Sequence, residues 1–578
     1  MLELVMTSHN HRQHYLTRRE FVALGAAGAA ALVSPGREPA NATTSSPSSQ
    51  RRLLFNWDGS MIHCFGRAAL ATMGEATDAP LSREQFTKLV FTPIDSTAVD
   101  TVFFSFGSGN VAEYDSRVLE WPGEADGFNF PERKTWHGGI EVAPSDQYRN
   151  PKALADSGHN PPAIVVEECR RRGLGVFASL RMNDCHDGQH TKGALPNPEY
   201  PTFKRQNPDW LVNDLDWWSA LNFAHPRVRA LKRRVIEEFF DRWDFDGIEL
   251  DWLRHTLNFP RGTERDNGHY LTELLRTVRA SLNQKAAQRG RPIEIAVRVP
   301  ERVDWCLDGG YEIDKWIAED LVDLIILGQG LTEASGIGEF RKLMTARQLP
   351  IYPCVYSYGN GYRLSPDEVL RASASNLWQD GADGLYAFNW FYYGDWRRDI
   401  LSEIASADRL KEKPKHYTLL RRANVTAGQP GADYLRYNGV WKDPKVPIRL
   451  TVAGGPHTTH VPAQLASNAT QAELWVGVDY LEDDDILMLS WNDKPLDPPV
   501  IHRGLLETLG YQISAPPGNG ILGFAPNASL DTQFAAVRLP VKLADVVEGK
   551  NRLTLTLKKR SAAAAHELRI TRIELKIV

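Results

Sequence analysis

Between Leu53 and about residue 400 short β-rich apolar runs alternate with amphipathic helical stretches, and no other feature of the sequence constrains the fold as much. The apolar runs are Leu53 to Asp58, Val99 to Gly107, Gly175 to Asp184, Phe245 to Leu253, Ile293 to Pro300, Leu321 to Gly330, Pro350 to Tyr358 and Asp383 to Tyr392. Helical periodicity covers Pro162 to Arg172, Pro226 to Trp243, Asn267 to Arg289 and Ser365 to Gln379. Eight strand and helix units predict a (β/α)8 barrel with long insertions, because an open doubly wound sheet rarely needs so many strands. Residues 108–160 and 185–224 are long insertions, each following a strand. In a parallel barrel the loops after strands build the active-site face, so chemistry is expected there.

After Lys413 the helical periodicity stops. Alternating runs at Pro447 to Val452, Ala472 to Tyr480, Ile486 to Trp491, Ala535 to Pro540, Asn551 to Lys558 and Glu567 to Val578 predict an all-β, jelly-roll-like sandwich. The expected organisation is an address and linker over 1–50, the barrel over 51–412 and the sandwich over 413–578. Two roles are open to the sandwich, buttressing the barrel and gripping sugar. In the first segment Arg18 and Arg19 precede an apolar run from Phe21 to Val33 and then small residues, which is the pattern of a twin-arginine export signal. That run is about 13 residues, short of the roughly 20 that span a bilayer. ANATTSSPSSQ, residues 40–50, reads as a linker. Export to the periplasm or beyond is the resulting expectation.

Composition removes several classes. Lys and Arg number 67 against 72 Asp and Glu, a formal charge of −5, which offers no general attraction for a phosphate backbone, so nucleic acid is not an expected partner. The five Cys (64, 169, 185, 306 and 354) form no CxxC pair, against a zinc ribbon or dense disulfide framework. Neither a GxGxxG after a strand, a Walker-type Lys nor a GxSxG elbow occurs, so no organic cofactor and no typical serine esterase is predicted. Sixteen Trp and eighteen Tyr suit flat, polar-rimmed faces of the kind that sugars stack on.

The most informative segment is DFDGIELDWLRH, Asp244 to His255. Strand alternation turns Glu249 and Asp251 into the barrel and Ile248 and Leu250 toward the helices. Two inward acids need a reason, since an unpaired buried carboxylate suffers a large desolvation cost. One reason is catalysis; the other is a buried ion pair of Glu249 with Arg181 or Arg298. EIAVRVPER makes Arg298 inward and leaves Glu301 just past the strand's end. Arg181 and Asn183 are expected on one face of the third strand, with Asp184, His186, Asp187 and His190 beyond it. These four mix imidazole and carboxylate, but their spacing matches no standard metal motif, and no metal is predicted.

DGIELDW with Arg254 and His255, SLRMNDCHD at Ser179 to Asp187 and SALNFAHPRVR at Ser219 to Arg229 resemble bacterial family 10-like glycosyl hydrolase proteins over roughly residues 53–400. The resemblance implies a (β/α)8 barrel and a carbohydrate substrate. A more distant likeness is to chitinase-type barrels, whose fourth strand reads D-G-x-D-x-D-x-E; here Leu253 stands at the final Glu, so that family's proton donor is missing. An Asp on strand four with a Glu on strand five is the placement used by α-amylase-type barrels, which points to Asp251 and Glu301 as the carboxyl pair, with Glu249 beside them. Arg181, Asn183, Asp184, His186, His255, Arg298, Gln329, Tyr358, Asn389 and Trp390 complete the expected sugar-binding lining. The resulting expectation is a two-carboxylate glycoside hydrolase acting on a poly- or oligosaccharide. A polysaccharide lyase and a catalytically inactive carbohydrate-binding protein are the alternatives, and the arginines raise the question of an anionic glycan.

Overall fold

The computed structural model describes residues 53–578 apart from 76–79, 131–134, 138–139, 143–144, 189–196, 215–217, 329–335, 357–364, 389, 391–396, 421–447 and 504–533. The twin-arginine segment, the linker, His190, Gln329, Tyr358 and Asn389 lie outside the described residues.

Eight parallel strands close on themselves: β1 (Leu53–Asp58), β2 (Thr101–Ser105), β3 (Gly175–Arg181), β4 (Gly247–Asp251), β5 (Glu294–Val299), β6 (Leu324–Leu327), β7 (Ile351–Tyr356) and β8 (Leu385–Phe388). Each pairs with its neighbours in sequence, and β1 pairs with both β2 and β8, which is the (β/α)8 barrel. Alternation sorts each strand's side chains into two populations. Leu53, Phe55, Val102, Ile248, Leu250, Ile295 and Val297 belong to the large core between sheet and helices. Leu54, Phe103, Phe177, Ala296, Leu324, Tyr352 and Tyr386 fill the barrel's interior instead.

The helices start and stop where their chemistry dictates. Pro161 and Pro226 occupy first-turn positions of Pro161–Arg172 and Pro226–Arg242, where a missing N–H costs nothing. Glycines at φ 70°, Gly173 and Gly290, terminate Pro161–Arg172 and Glu264–Arg289 in the left-handed conformation that L side chains avoid. Cys169, Cys185, Cys306 and Cys354 are all buried. Among the described residues no helix is long and apolar enough to cross a membrane.

The C-terminal part consists of antiparallel sheets. One holds β9 (Lys415–Leu420), β10 (Ile448–Leu450), β12 (Ala472–Asp479), β15 (Val500–Arg503), β16 (Phe534–Val541) and β18 (Leu568–Ile577); the other holds β11 (His457–Ala463), β13 (Ile486–Trp491), β14 (Lys494–Pro495) and β17 (Gly549–Lys559). Their inward residues form a second core that takes in Ala372 from the barrel helix Asp367–Gln379. Ser375 of that helix donates to Gln464 at 2.5 Å, so described contacts to the sandwich run through the barrel's outer wall. β9, β11, β14 and β15 are absent from the sequence expectation. β11 carries Pro462 and two exposed histidines, which its edge position in the order β11-β17-β13-β14 tolerates.

Candidate active site

The barrel interior turns from apolar to charged toward the C-terminal ends of its strands. Phe103 and Phe177 stack with centroids 4.5 Å apart at the floor. Above them lie Asn56 of β1, Ser179 of β3, Glu249 of β4 and Tyr386 of β8, all buried. The Tyr386 hydroxyl lies 2.7 and 2.9 Å from the two Glu249 oxygens, and the Asn56 amide is 3.5 Å from Oε2. Burial, and after it the like charge of Asp251, push the Glu249 carboxyl up to about 7, against the pull of Arg298.

In the next layer the register sets Arg181, Asp251 and Arg298 side by side on β3, β4 and β5. Arg298 is wholly buried and grips Asp251 with two bonds, Nη2 to Oδ2 at 2.7 Å and Nε to Oδ1 at 3.0 Å. Its guanidinium also lies 4.3 Å from the Phe388 ring centre. Arg298 thus makes its short ion pair with Asp251, and the pair expected of Glu249 is the longer contact. Arg298 stays 3.9 Å from Glu249, which has Tyr386 instead. Asp251 Oδ1 also accepts the Leu253 amide at 2.9 Å, fixing the carboxylate where the strand ends.

Arg181 is held between Asp58 of β1, at 2.5 Å, and Asp184, at 2.9 Å. Burial works to raise the Asp184 carboxyl, but His186 and then Arg181 outweigh it and hold it well below the usual carboxylate range. His186 Nδ1 lies 2.5 Å from Asp184 Oδ1, and its Nε2 faces the Arg254 guanidinium at 3.0 Å. A cationic donor at Nε2 places the ring's proton on Nδ1. His255 accepts the Cys185 amide on Nδ1 at 3.1 Å; burial, then His186, hold its pKa well below the ordinary histidine value, so its proton rests on Nε2. His255, expected in the sugar-binding lining, lies beside Asp184, 3.8 Å away.

Asp184, His186 and His255 are the group among the described residues that could hold a metal ion, with ligand atoms within 4.8 Å of one another. Arg254 already faces His186 Nε2 and Arg181 already bonds Asp184. A divalent cation would therefore compete with two guanidiniums, and the trio reads better as a hydrogen-bonded charge network.

Two other expected residues turn out differently. Asn183 is fully buried and lies past the end of β3, where alternation no longer applies; it donates to Leu221 and Leu257 carbonyls at 3.0 and 2.6 Å and accepts the Leu221 amide at 2.9 Å. It clamps loops instead of gripping sugar beside Arg181. Trp390, expected as a stacking platform, is fully buried in the main core. Glu301 lies where the chain leaves β5 for the helix Val303–Asp308, half-buried, its carbonyl accepting the Gly336 amide at 2.9 Å. Asp187 is spent on Lys204 and Ser219, each at 2.7 Å.

Sequence reasoning passed over Asn56, Asp58 and Tyr386, although alternation in LLFNWD and LYAF turns them inward. Asn56 Oδ1, Asp58 Oδ1 and Arg298 Nη1 are buried and have no hydrogen-bond partner among the described residues. Two acceptors and one donor in these two layers are thus left without a protein partner among the described residues.

No protein-family model matches the chain, and no curated protein matches it. Solved structures with a similar course of chain include the chitinase ChiW from Paenibacillus sp. str. FPU-7, at 14% identity and a TM-score of 0.37 over 63% of this chain and 33% of that one. The catalytic domain of psychrophilic chitinase B from Arthrobacter TAD20 has 12% identity and a TM-score of 0.37 over 66% of this chain and 98% of its own. The PgaB (BpsB) glycoside hydrolase domain from Bordetella bronchiseptica has 12% identity and a TM-score of 0.35 over 62% and 99%. This chain thus spans about a third of the length of ChiW. Likeness at this level specifies neither substrate nor mechanism.

Proposed function

We propose that the protein is an exported glycoside hydrolase that cleaves a neutral poly- or oligosaccharide at the barrel mouth. One observation carries the reading: two carboxyl groups, adjacent on the inward face of β4, have opposite surroundings. Asp251 is clamped in a bidentate ion pair, whereas Glu249 lies beneath it with its carboxyl pushed up to about 7. Enzymes that cleave glycosides need carboxyl groups kept in different protonation states, one to donate a proton and one to attack or to activate water. In this reading Asp251 acts at the anomeric carbon. Arg298 holds it, Glu249 with Tyr386 sets the field below it, and a second carboxyl at the mouth protonates the leaving oxygen. Glu301 is the donor that the sequence singles out.

The preference for a neutral sugar follows from charge. Arg298 is matched by Asp251, and Arg181 by Asp58 and Asp184, so neither carries spare charge for a uronate or sulfate. The unmatched acceptors of Asn56 and Asp58 suit hydroxyls. A lyase would need a guanidinium free to neutralise a uronate and a base beside it, and both inward arginines are engaged. The test is a product screen of the protein from residue 51 onward on neutral, uronate-containing and sulfated polysaccharides. New reducing ends from a neutral polymer support the reading; unsaturated products absorbing in the ultraviolet, or binding without turnover, contradict it.

A further inference from the structure

Phe128, in the insertion after β2, combines exposure with backbone strain. It is the one exposed large apolar side chain among the described residues of the barrel, 37% accessible. Its φ is 60°, in the left-handed region where the other non-glycine residues of this chain are mostly Asn, Asp and Ser. A bulky L residue is strained there, and strain of this kind gathers at functional sites. Burial of the ring would offset it, but the ring is exposed. The turn is nevertheless pinned. The Phe128 amide donates to the Gly123 carbonyl at 2.8 Å. Phe130 is buried, stacks on Tyr148 with centroids 5.2 Å apart and packs so close to Gly123 that a Cβ there would come within 2.4 Å of its ring.

A second ring shares a neighbour with Phe128. The Lys152 ammonium, on the helix Asp146–Asp156, lies 5.6 Å from the Phe128 ring centre and 5.9 Å from that of the half-buried Trp121. Both Asp156 oxygens hold this ammonium, at 2.8 and 2.9 Å, which matches its charge. An ammonium has three N–H groups, so one is left for a further acceptor. Two rings beside one N–H donor suit a pyranose, whose C–H face stacks on a π system while a hydroxyl takes the N–H.

Short contacts tie this turn to the barrel mouth through the insertion after β3. The Gly123 amide donates to the Pro198 carbonyl at 2.7 Å, and the adjacent Asn197 donates from Nδ2 to the His186 carbonyl at 3.0 Å. Arg205 grips Asp126, two residues before Phe128, with bonds of 2.8 and 2.6 Å. His186 is bonded to Asp184, Asp184 to Arg181, and Arg181 is the register partner of Asp251. An unbroken run of contacts therefore joins the two rings to the site on the C-terminal face, where loops that follow strands gather in this fold.

Building on the hydrolase reading, we propose that Phe128, with Trp121 and Lys152, forms a remote platform that stacks a neutral pyranose of the polysaccharide away from the bond that Asp251 attacks. Neutrality follows from the charges around it, since Lys152 is matched by Asp156 and Arg205 by Asp126. A platform distant from the reacting atoms holds substrate and transition state alike, so it acts on affinity for long chains.

The experiment is affinity electrophoresis of Asp251→Asn protein in gels containing a neutral β-glucan, a galactomannan or a xylan, which reads binding without turnover. Adding Phe128→Ala should weaken binding to the retarding polymer about 3- to 10-fold, and Phe128→Tyr, which keeps a ring, should restore it. Phe128→Gly relieves the left-handed backbone; it should unfold no earlier than the parent and bind as weakly as Phe128→Ala. In protein with Asp251 intact, the Phe128→Ala loss should appear in KM for the polymer and not in kcat, and it should shrink on a nitrophenyl monoglycoside, whose single sugar occupies the site at Asp251 alone. Unchanged retardation of Phe128→Ala, or no retardation of the parent by any of these polymers, overturns the proposal. Cleavage by the wild type with affinity unchanged in Phe128→Ala fails the platform alone. Phe128-dependent binding of a polymer that the wild type does not cleave upholds the platform and fails the hydrolase reading.

Discussion

Arg298 and Asp251, on adjacent strands and both buried, meet in a two-pronged ion pair at 2.7 and 3.0 Å, and this pair organises the barrel mouth. Removing one partner strands a buried charge. Arg298→Met should cost about 3–5 kcal/mol in urea unfolding. The double variant Arg298→Met/Asp251→Leu should recover most of that loss, because apolar side chains of similar volume replace buried ion pairs at little cost. A double variant no more stable than Arg298→Met would show that the pair's charges do not set the penalty.

Glu249 makes stability depend on pH with a sign opposite to that of a salt-bridged carboxylate. Its folded pKa, about 7, lies above the ordinary 4.5, so the native state binds the proton more tightly than the unfolded chain. No cost applies below the unfolded value. Between the two values stability falls as pH rises, and above the folded value the full cost is present, about 3 kcal/mol. Glu249→Gln should flatten this slope when unfolding free energies are measured from about pH 4 to about pH 8. An unchanged slope would place the titration on another group.

Chelation should leave turnover and the thermal midpoint unchanged, since Arg254 and Arg181 already engage His186 and Asp184. Loss of activity in EDTA, restored by zinc or manganese, would show that Asp184, His186 and His255 bind a cation after all.

Asn183 should prove structural. Asn183→Ala leaves the Leu221 and Leu257 carbonyls without their amide donor and the Leu221 amide without its acceptor, a cost of at least roughly 3 kcal/mol for three buried groups left unmet at about 1–3 kcal/mol each. The KM for the cleaved polysaccharide should stay within about twofold, because the residue touches loops and not sugar. A raised KM with stability intact would return Asn183 to the binding site.

The barrel was legible because its signals are local. Alternation along DGIELDW and EIAVRV correctly turned Glu249, Asp251 and Arg298 inward and Ile248 and Leu250 outward. The same rule failed at Asn183 because β3 ends at Arg181, and a period of two says nothing once the strand has stopped. In β1 and β8 the same alternation turns Asn56, Asp58 and Tyr386 inward. Which acid pairs with which arginine was not legible, since Glu249 and Asp251 lie equally inward and only three-dimensional distance awards Arg298 to Asp251.

The central claim is that Asp251 performs the chemistry on a neutral glycan, and the most direct test is reducing-end release by wild type and Asp251→Asn on the same polysaccharide. The account predicts steady release by the wild type. It also predicts a loss of at least about 10³-fold in kcat for a variant whose circular dichroism and sugar affinity are retained. Equal release by the two proteins, or release confined to uronate-containing or sulfated polymers, would contradict it.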